Sequence, residues 1–302
     1  MAVPNQEGNA AAPGFNKGRM FNDKLMRWLF VGSAILVSLI IFSIILFVGK
    51  QGVLTFQDVS PLEFFFSTDW SPSKDQYGAL TFILGTFIVT AVALVLAVPL
   101  AVGGAVFMAK IAPNWMREIM RPATDLFVGI PSVVYGLVGL TVFVPFFAKV
   151  FGSAGFGVMP AAIILAIMIL PTILSVSEDA IRTLPGALEE ASYALGATRW
   201  QTIRKVLLPA ATPGILTGVI LGMGRAIGEA MAVQMVIGNA PILPTGLAQP
   251  TSVLTTQIVQ EMPNSIFGTT TNNALFLMSL VLLLVSLSLI LIIRLVARRR
   301  EA

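Results

Sequence analysis

Six long apolar stretches alternate with short polar connections along the chain. Residues 28–49 and 272–293 contain no charged side chain, and residues 78–109 are uncharged throughout. Residues 122–148 carry only Asp125, residues 156–177 carry none, and residues 209–237 carry Arg225 and Glu229 within otherwise apolar sequence. A helix needs about 20 apolar residues to cross a hydrocarbon core of about 30 Å. Every stretch meets that length, so the pattern predicts an all-α polytopic membrane protein with six transmembrane helices. The stretch 78–109 leaves room for an extra helical piece.

Punctuation within the stretches refines this picture. Pro99, Pro131 and Pro171 interrupt apolar runs, and each removes a helical hydrogen bond, so kinks or breaks are expected there. Trp28, Trp70 and Trp115 fall near expected membrane boundaries, where indole rings are favoured. Gly214, Gly218 and Gly222 recur every fourth residue, as do Gly224 and Gly228, which forms small-residue ridges for close helix packing. Between the fourth and fifth stretches the chain changes character. Residues 187–195 are helix-compatible, with Pro185 near the start, Glu189 and Glu190 in the early turns and Gly196 as a C-terminal stop. Thr198 then caps a second segment in which Trp200, Ile203, Val206 and Leu207 recur at helical spacing, until Pro209 opens the next span.

Charge sets the orientation. Of 302 residues 56% are hydrophobic and 11% charged, against about 25% in soluble proteins, and the net charge is +4. Basic residues cluster in alternate connections: Lys17, Arg19, Lys24 and Arg27 before the first span, then Lys110, Arg117 and Arg121, then Arg182, Arg199, Arg204 and Lys205, and finally Arg294 and Arg298–Arg300. The positive-inside rule places these in the cytoplasm, so both termini are expected inside. Residues 50–77 and 238–271 become outer loops. The first span reads as an uncleaved signal anchor, because residues 48–51 lack a small-x-small cleavage site. The domains expected are a cytoplasmic tail over 1–27, with 1–16 disordered, a six-span unit over 28–298 holding a cytoplasmic loop at about 179–209, and a basic C-terminus over 299–302.

Candidate chemistry is sparse. With no cysteine and no histidine, disulfides, Cys/His metal sites and Ser-His-Asp triads are excluded. Arg225 is the one basic residue within the predicted spans, and four-residue spacing puts Glu229 on the same helical face, where the two can pair. Burying either charge costs at least about 2.5 kcal/mol, so both should face the bundle interior or water. A self-neutralising structural pair and a substrate-pathway site both remain open. Asp125 is expected to cap a helix after Pro122. The 179–209 loop could lie on lipid headgroups as an interfacial hairpin. A DNA-reading helix-turn-helix is disfavoured because the unit is fused to membrane spans at both ends.

The loop resembles the EAA loop of ABC-importer permeases, whose pattern is Glu-Ala-Ala, three residues, Gly, nine residues, then Ile-x-Leu-Pro. Here it reads Glu190-Ala191-Ser192, Gly196 and Val206-Leu207-Leu208-Pro209, with Ser192 and Val206 as the departures. Residues 224–233, Gly-Arg-Ala-Ile-Gly-Glu-Ala-Met-Ala-Val, resemble the corresponding segment of the PstC-type permeases of bacterial phosphate-specific ABC importers, with Ala230 in place of Thr. The sister PstA-type permeases carry Gly-Glu-Thr-Ala-Pro instead.

The resemblance implies a type I importer permease of MetI-like fold in the bacterial inner membrane. It implies a PstA-type partner permease, two PstB-type ATPase subunits inside and a PstS-type phosphate-binding protein outside. Glu190, Ala191, Ser192, Gly196, Val206, Leu208 and Pro209 would couple to the ATPase, and Arg225 and Glu229 would lie on the substrate pathway. No catalytic or metal site is expected. The chain lacks a G-x-x-x-x-G-K-[ST] phosphate cradle, so it should bind no cofactor, with ATP and Mg used by the partner ATPase. A permease for another oxyanion, a secondary carrier and a non-transport scaffold are the alternatives. The EAA pattern occurs once and no internal repeat supports a carrier built of two similar halves.

Overall fold

The computed structural model describes residues 17–298, with side chains from 25 to 295. The expected disordered tail, the side chains of Lys17, Arg19 and Lys24, and the basic cluster Arg298–Arg300 lie outside what is described. The chain divides into two units, one ending at Val48 and one running from Gly49 onward. Most of α1 (Lys17–Val53) belongs to the first.

In the second unit, α2 (Pro61–Phe66) and a hairpin of β1 (Trp70–Ser71) and β2 (Gln76–Tyr77) precede α3 (Leu80–Val106). The helices α4 (Asn114–Gly129), α5 (Ser132–Val138), α6 (Val144–Phe151) and α7 (Val158–Arg182) follow. Two short helices, α8 (Gly186–Ala194) and α9 (Arg199–Thr202), lead into α10 (Leu208–Gly228). The chain ends with α11 (Met231–Gln234), α12 (Leu254–Glu261) and α13 (Thr270–Arg298). Among the described residues six helices are long and apolar enough to cross a membrane: 25–57, 80–111, 132–151, 158–182, 199–228 and 270–295. The six-span architecture is therefore as the hydropathy pattern predicts.

α7 is the centre of the bundle and packs against both α3 and α10. Both contacts use small residues, because lipid supplies no hydrophobic drive and helices must gain from close van der Waals approach. On α3, Ala93, Ala97, Ala101 and Ala105 form a fully buried stripe. On α10, a Cβ at Gly218 would come within 3.2 Å of the Ile173 carbonyl, and one at Gly222 within 2.6 Å of the Ile173 side chain. A Cβ at Gly214 would collide with Ala180. The first glycine ridge is thus the α7 contact. At Gly224 and Gly228, expected as a second ridge, an added Cβ would meet nothing within 4 Å.

Prolines act in three ways. Pro99 and Pro171 sit inside α3 and α7, which continue through them. Pro145 and Pro209 instead follow π-helical turns at Gly139–Phe143 and Ile203–Leu207. The wide turn before each makes room where the ring would meet the carbonyl four residues back. Consequently α9 runs through the π turn into α10 with no break at Pro209. Pro131 does break the chain, with Ile130 extended at ψ 129°. The third span therefore begins at Ser132, and the expected start at Pro122 is wrong. Pro122 and Asp125 lie inside α4, where Asp125 cannot cap the start of a helix.

The two expected outer loops are not independent connectors. Trp70 Nε1 donates to both Glu261 oxygens at 2.9 and 3.1 Å, Tyr77 and Thr271 hydroxyls are 3.0 Å apart, and Thr270 donates to Asp58 at 2.8 Å. Gln51 donates to Asn273 at 2.6 Å. Trp70 also meets Tyr77 and Phe82 edge-on at 5.6 and 5.5 Å, over a core that includes Phe64, Leu254 and Leu275. The result is one folded cap at the end of the bundle opposite α8.

Burial raises the Glu261 carboxyl above its ordinary value of 4.5, against the opposing hydrogen bonds from Trp70 and Gln257. The folded state then holds this proton more tightly than the unfolded chain. The group contributes stability in acid and loses it as pH rises through the raised value. Glu261→Gln keeps an acceptor for Trp70 but cannot titrate. In thermal unfolding between pH about 4.5 and about 7.5, the variant's midpoint is expected to gain on the wild-type midpoint as pH rises. A constant difference across the range would show that Glu261 does not titrate in the cap.

Candidate functional site

Two sets of residues stand out, and the helices separate them. At one end of the bundle, α8 and α9 form a projection whose geometry follows from a few local rules. α8 ends where Gly196 adopts φ +78°, with its N–H donating to the Tyr193 carbonyl at 2.9 Å and the Ala197 N–H donating to the Ser192 carbonyl at 3.2 Å. Only glycine takes this left-handed conformation without strain. Thr198 then opens α9 with a full capping box: its hydroxyl accepts from the Gln201 N–H and its own N–H donates to the Gln201 side chain at 2.8 Å.

Ser192, the departure from the Glu-Ala-Ala pattern, is buried and shares a 2.9 Å hydrogen bond with Thr202 across the turn. It fastens one short helix to the other. Lys110, at the end of the π turn after α3, pairs with Glu189 at 2.6 Å, and Arg199 donates to the Lys110 carbonyl. Leu207 is buried, while Val206 and Leu208 are half-buried at the root of α10 and Pro209 is exposed. Glu190, Ala191, Tyr193, Leu195 and Trp200 face outward, Leu195 at 89% exposure. The projection thus pins one side to the bundle and presents an apolar face with a single free carboxylate. Sequence placed Glu189 in the first helical turns and Arg199 among the cytoplasmic basic residues but gave neither a pinning role, and it did not mark Thr202; their polar character within an amphipathic hairpin is the signal that could have found the role.

The second set surrounds the end of α10. The expected pairing of Arg225 with Glu229 on one helical face is not formed. α10 stops at Gly228, and Glu229 turns the chain out of the helix at ψ 124°. The Glu229 carboxylate instead accepts from the Ala232 N–H at 3.1 Å at the start of α11, and its carbonyl accepts from the Thr255 hydroxyl at 2.9 Å. It works as a helix cap. No ion pair between the two is found among the described residues, whose bridges are Lys110–Glu189, Arg121–Asp179 and Arg182–Glu178.

Arg225 reaches across to the C-terminus of α4, with Nη2 3.5 Å from the Val128 carbonyl. The neighbouring Phe127 carbonyl accepts from the Tyr135 hydroxyl at 2.8 Å. Carbonyls at a helix C-terminus favour a cation, but a contact this long leaves most guanidinium donors unspent. Arg225 lies about 24 Å along the helix from Pro209 at 1.5 Å per residue, within the depth of a hydrocarbon core. The helix break at 228–230 follows at once. Irregular backbone at such depth is tolerated where it is covered by protein or lines a cavity. Beneath Glu229 a cavity of about 10 Å³ is lined by Thr86, Thr90 and Thr255 among others, room for one water. Among the described residues no group of three His, Cys, Asp or Glu side chains could hold a metal.

Residues 101–302 match the model of a family described as binding-protein-dependent transport system inner membrane component. The chain is 47% identical over 291 residues to the probable ABC transporter permease protein YqgH of Bacillus subtilis, covering 94% of each. It is 37% identical over 258 residues to the phosphate transport system permease protein PstC of Pasteurella multocida, covering 79% of this chain and 80% of that one. Its fold is similar to a chain of a bacterial alginate ABC transporter, with TM-score 0.62 at 18% identity over 93% of this chain and 98% of the other. A chain of the MetNI methionine transporter gives TM-score 0.50 at 24% identity over 74% and 92%.

Proposed function

The chain belongs to the binding-protein-dependent transport system inner membrane components, and from that premise we propose that it is a PstC-type permease, one half of the translocation pathway of an ATP-driven phosphate importer. It is a multi-pass membrane protein that works with other ABC transporter subunits. The observation that carries the substrate reading is Arg225: a cation within membrane depth, beside a helix break, with no carboxylate against it. Phosphate carries roughly −1.5 to −2 charges near neutral pH, by analogy with a phosphoryl group, so its passage needs a compensating cation.

The projection of α8 and α9 faces the cytoplasm on the positive-inside argument, as do both termini. Its apolar outer face, with Glu190 at the edge, suits a groove on a PstB-type ATPase, the helix-in-groove mode of recognition. Two such ATPase subunits bind ATP and Mg, while this chain supplies no nucleotide chemistry. A PstA-type permease completes the pathway. The cap formed by residues 50–79 and 238–273 is the surface offered to a PstS-type binding protein. Closure of the ATPase dimer moves the projection, and the spans alternate between outward- and inward-open states.

The test is accumulation by the complex reconstituted in proteoliposomes. Labelled phosphate should enter on addition of ATP and binding protein, and excess sulfate should not compete. Uptake of sulfate with exclusion of phosphate would replace the substrate and keep the fold and family.

A further inference from the structure

We propose that α4 relays the state of the coupling projection to Arg225, with the Arg121–Asp179 ion pair as the contact that positions it; this rests on the reading of Arg225 as the cation that meets phosphate. α4 is unusual in this bundle. It spans Asn114–Gly129, yet none of its residues is buried within the chain. Half-buried Met116, Met120, Ala123 and Thr124 face inward, and polar contacts tie the helix at both ends. At one end Arg117 Nε donates to the Met108 carbonyl at 2.7 Å, and Arg121 pairs with Asp179 at 2.6 Å. At the other end the Phe127 and Val128 carbonyls take Tyr135 and Arg225.

Asp179 lies on the last turn of α7, just before the chain enters α8. Arg121 is therefore attached to the segment that the projection moves. Arg121 and Val128 are seven residues apart, about 10 Å along the helix. A helix whose inner face, Met116, Met120, Ala123 and Thr124, is only half-buried is displaced at smaller cost than a fully buried one, and such elements are the ones that shift between states. Space for the shift is present: a cleft of about 450 Å³ lies beside α4, lined by Asn114, Arg117, Glu118, Arg121, Asp125 and Arg182 among others. Arg182 bonds to Glu178 within α7, so the ionic tie that crosses from α4 to α7 among the described residues is Arg121–Asp179.

The relay has two settings at its far end. With the α4 carbonyls under Arg225, part of the guanidinium is engaged; with α4 shifted, all its donors turn to the substrate. A weak 3.5 Å contact is suited to this exchange, since a switch needs states of similar free energy. Arg121 and Asp179 are thus positioning residues, remote from the substrate itself.

The test uses the assembled importer in proteoliposomes, with Arg121→Glu, Asp179→Arg and the double charge swap. Each single variant should lower uptake of labelled inorganic phosphate about tenfold with ATP hydrolysis within about twofold, and the swap should recover most of the loss. The measured ratio of ATP hydrolysed to phosphate moved would therefore rise in the single variants, which a merely destabilised complex would not show. Because the chain has no cysteine, Leu126→Cys gives it a single thiol, on the exposed face of α4, whose labelling is read on this chain after the subunits are separated. Its reaction with a water-soluble maleimide should differ between the nucleotide-free and vanadate-trapped complexes, and Arg121→Glu should remove that difference. An unchanged ATP-to-phosphate ratio in both single variants, or equal labelling in the two states, overturns the relay. Uptake that survives Arg225→Gln while labelling still depends on state overturns the Arg225 reading alone.

Discussion

Arg225→Gln is expected to lower phosphate uptake by one to two orders of magnitude, the scale of losing a charge-assisted hydrogen bond worth about 1.5–3 kcal/mol. Membrane insertion, partner assembly and basal ATP hydrolysis should persist, because the residue has no carboxylate to orphan and touches its own chain at the long Val128 contact. Glu229→Gln should be milder. Its Oε1 can still accept from the Ala232 N–H, so the cap survives the change. The double variant Arg225→Gln/Glu229→Gln separates the two readings of the site. A structural pair predicts recovery when both charges are gone, since neither is left unpartnered. The Glu229 carboxylate, spent on the Ala232 N–H rather than on Arg225, predicts none, with transport as low as in Arg225→Gln alone. Uptake of labelled phosphate by proteoliposomes containing the three variants is the measurement, and recovery in the double variant would return Arg225 to a packing role.

The contrast between the first and second half of the fifth span shows where sequence reading stops. Up to Gly222 the pattern speaks directly: glycines every fourth residue mean a close neighbour, and α7 is there. Beyond Gly228 the side chains stay mostly apolar to Ile237, Glu229 and Gln234 apart, yet the helix ends, and the Glu229 carboxylate accepts from an N–H of α11. Hydropathy measures transfer to lipid and cannot register which backbone N–H a carboxylate will find. The third span failed for a related reason. Residues 122–130 are apolar enough to belong to it, but Pro131 forces its predecessor out of helical conformation, and the chain restarts at Ser132. The alanine stripe on α3, spaced like the glycines, was not read from sequence, yet it is the more heavily buried of the two.

The projection was the best-marked feature, since Pro185, Gly196 and Thr198 each act through their own backbone and need no distant partner. The cap was the least legible. Trp70 and Glu261 are 191 residues apart, and two polar, proline-containing segments look like separate loops until they meet. Arg225 falls between these cases. Its charge within a span left a structural pair and a pathway site both open, and its freedom from Glu229 depended on a carboxylate partner, the Ala232 N–H, that no local pattern fixed.

Gly196→Val should abolish phosphate uptake and loosen the ATPase, while the protein still inserts. The reason is backbone conformation rather than space. A Cβ at this position meets nothing within 4 Å, yet φ is +78°. A β-branched residue held there costs more than about 1–2 kcal/mol, so the turn relaxes to negative φ and swings α8 away from α9. That movement breaks the Ser192–Thr202 bond and turns Leu195 and Trp200 out of a common face. Asparagine tolerates the left-handed region far better than other residues with a Cβ. Gly196→Asn should therefore retain most activity, Gly196→Ala should fall between, and Gly196→Val should be inactive. Co-purification of the ATPase and uptake in proteoliposomes should follow the same order. Equal activity across the series would mean that the turn has no part in coupling. Activity highest in Gly196→Ala and low in both Gly196→Asn and Gly196→Val would point to steric exclusion by the docked ATPase, since side-chain size rather than φ would then decide the outcome.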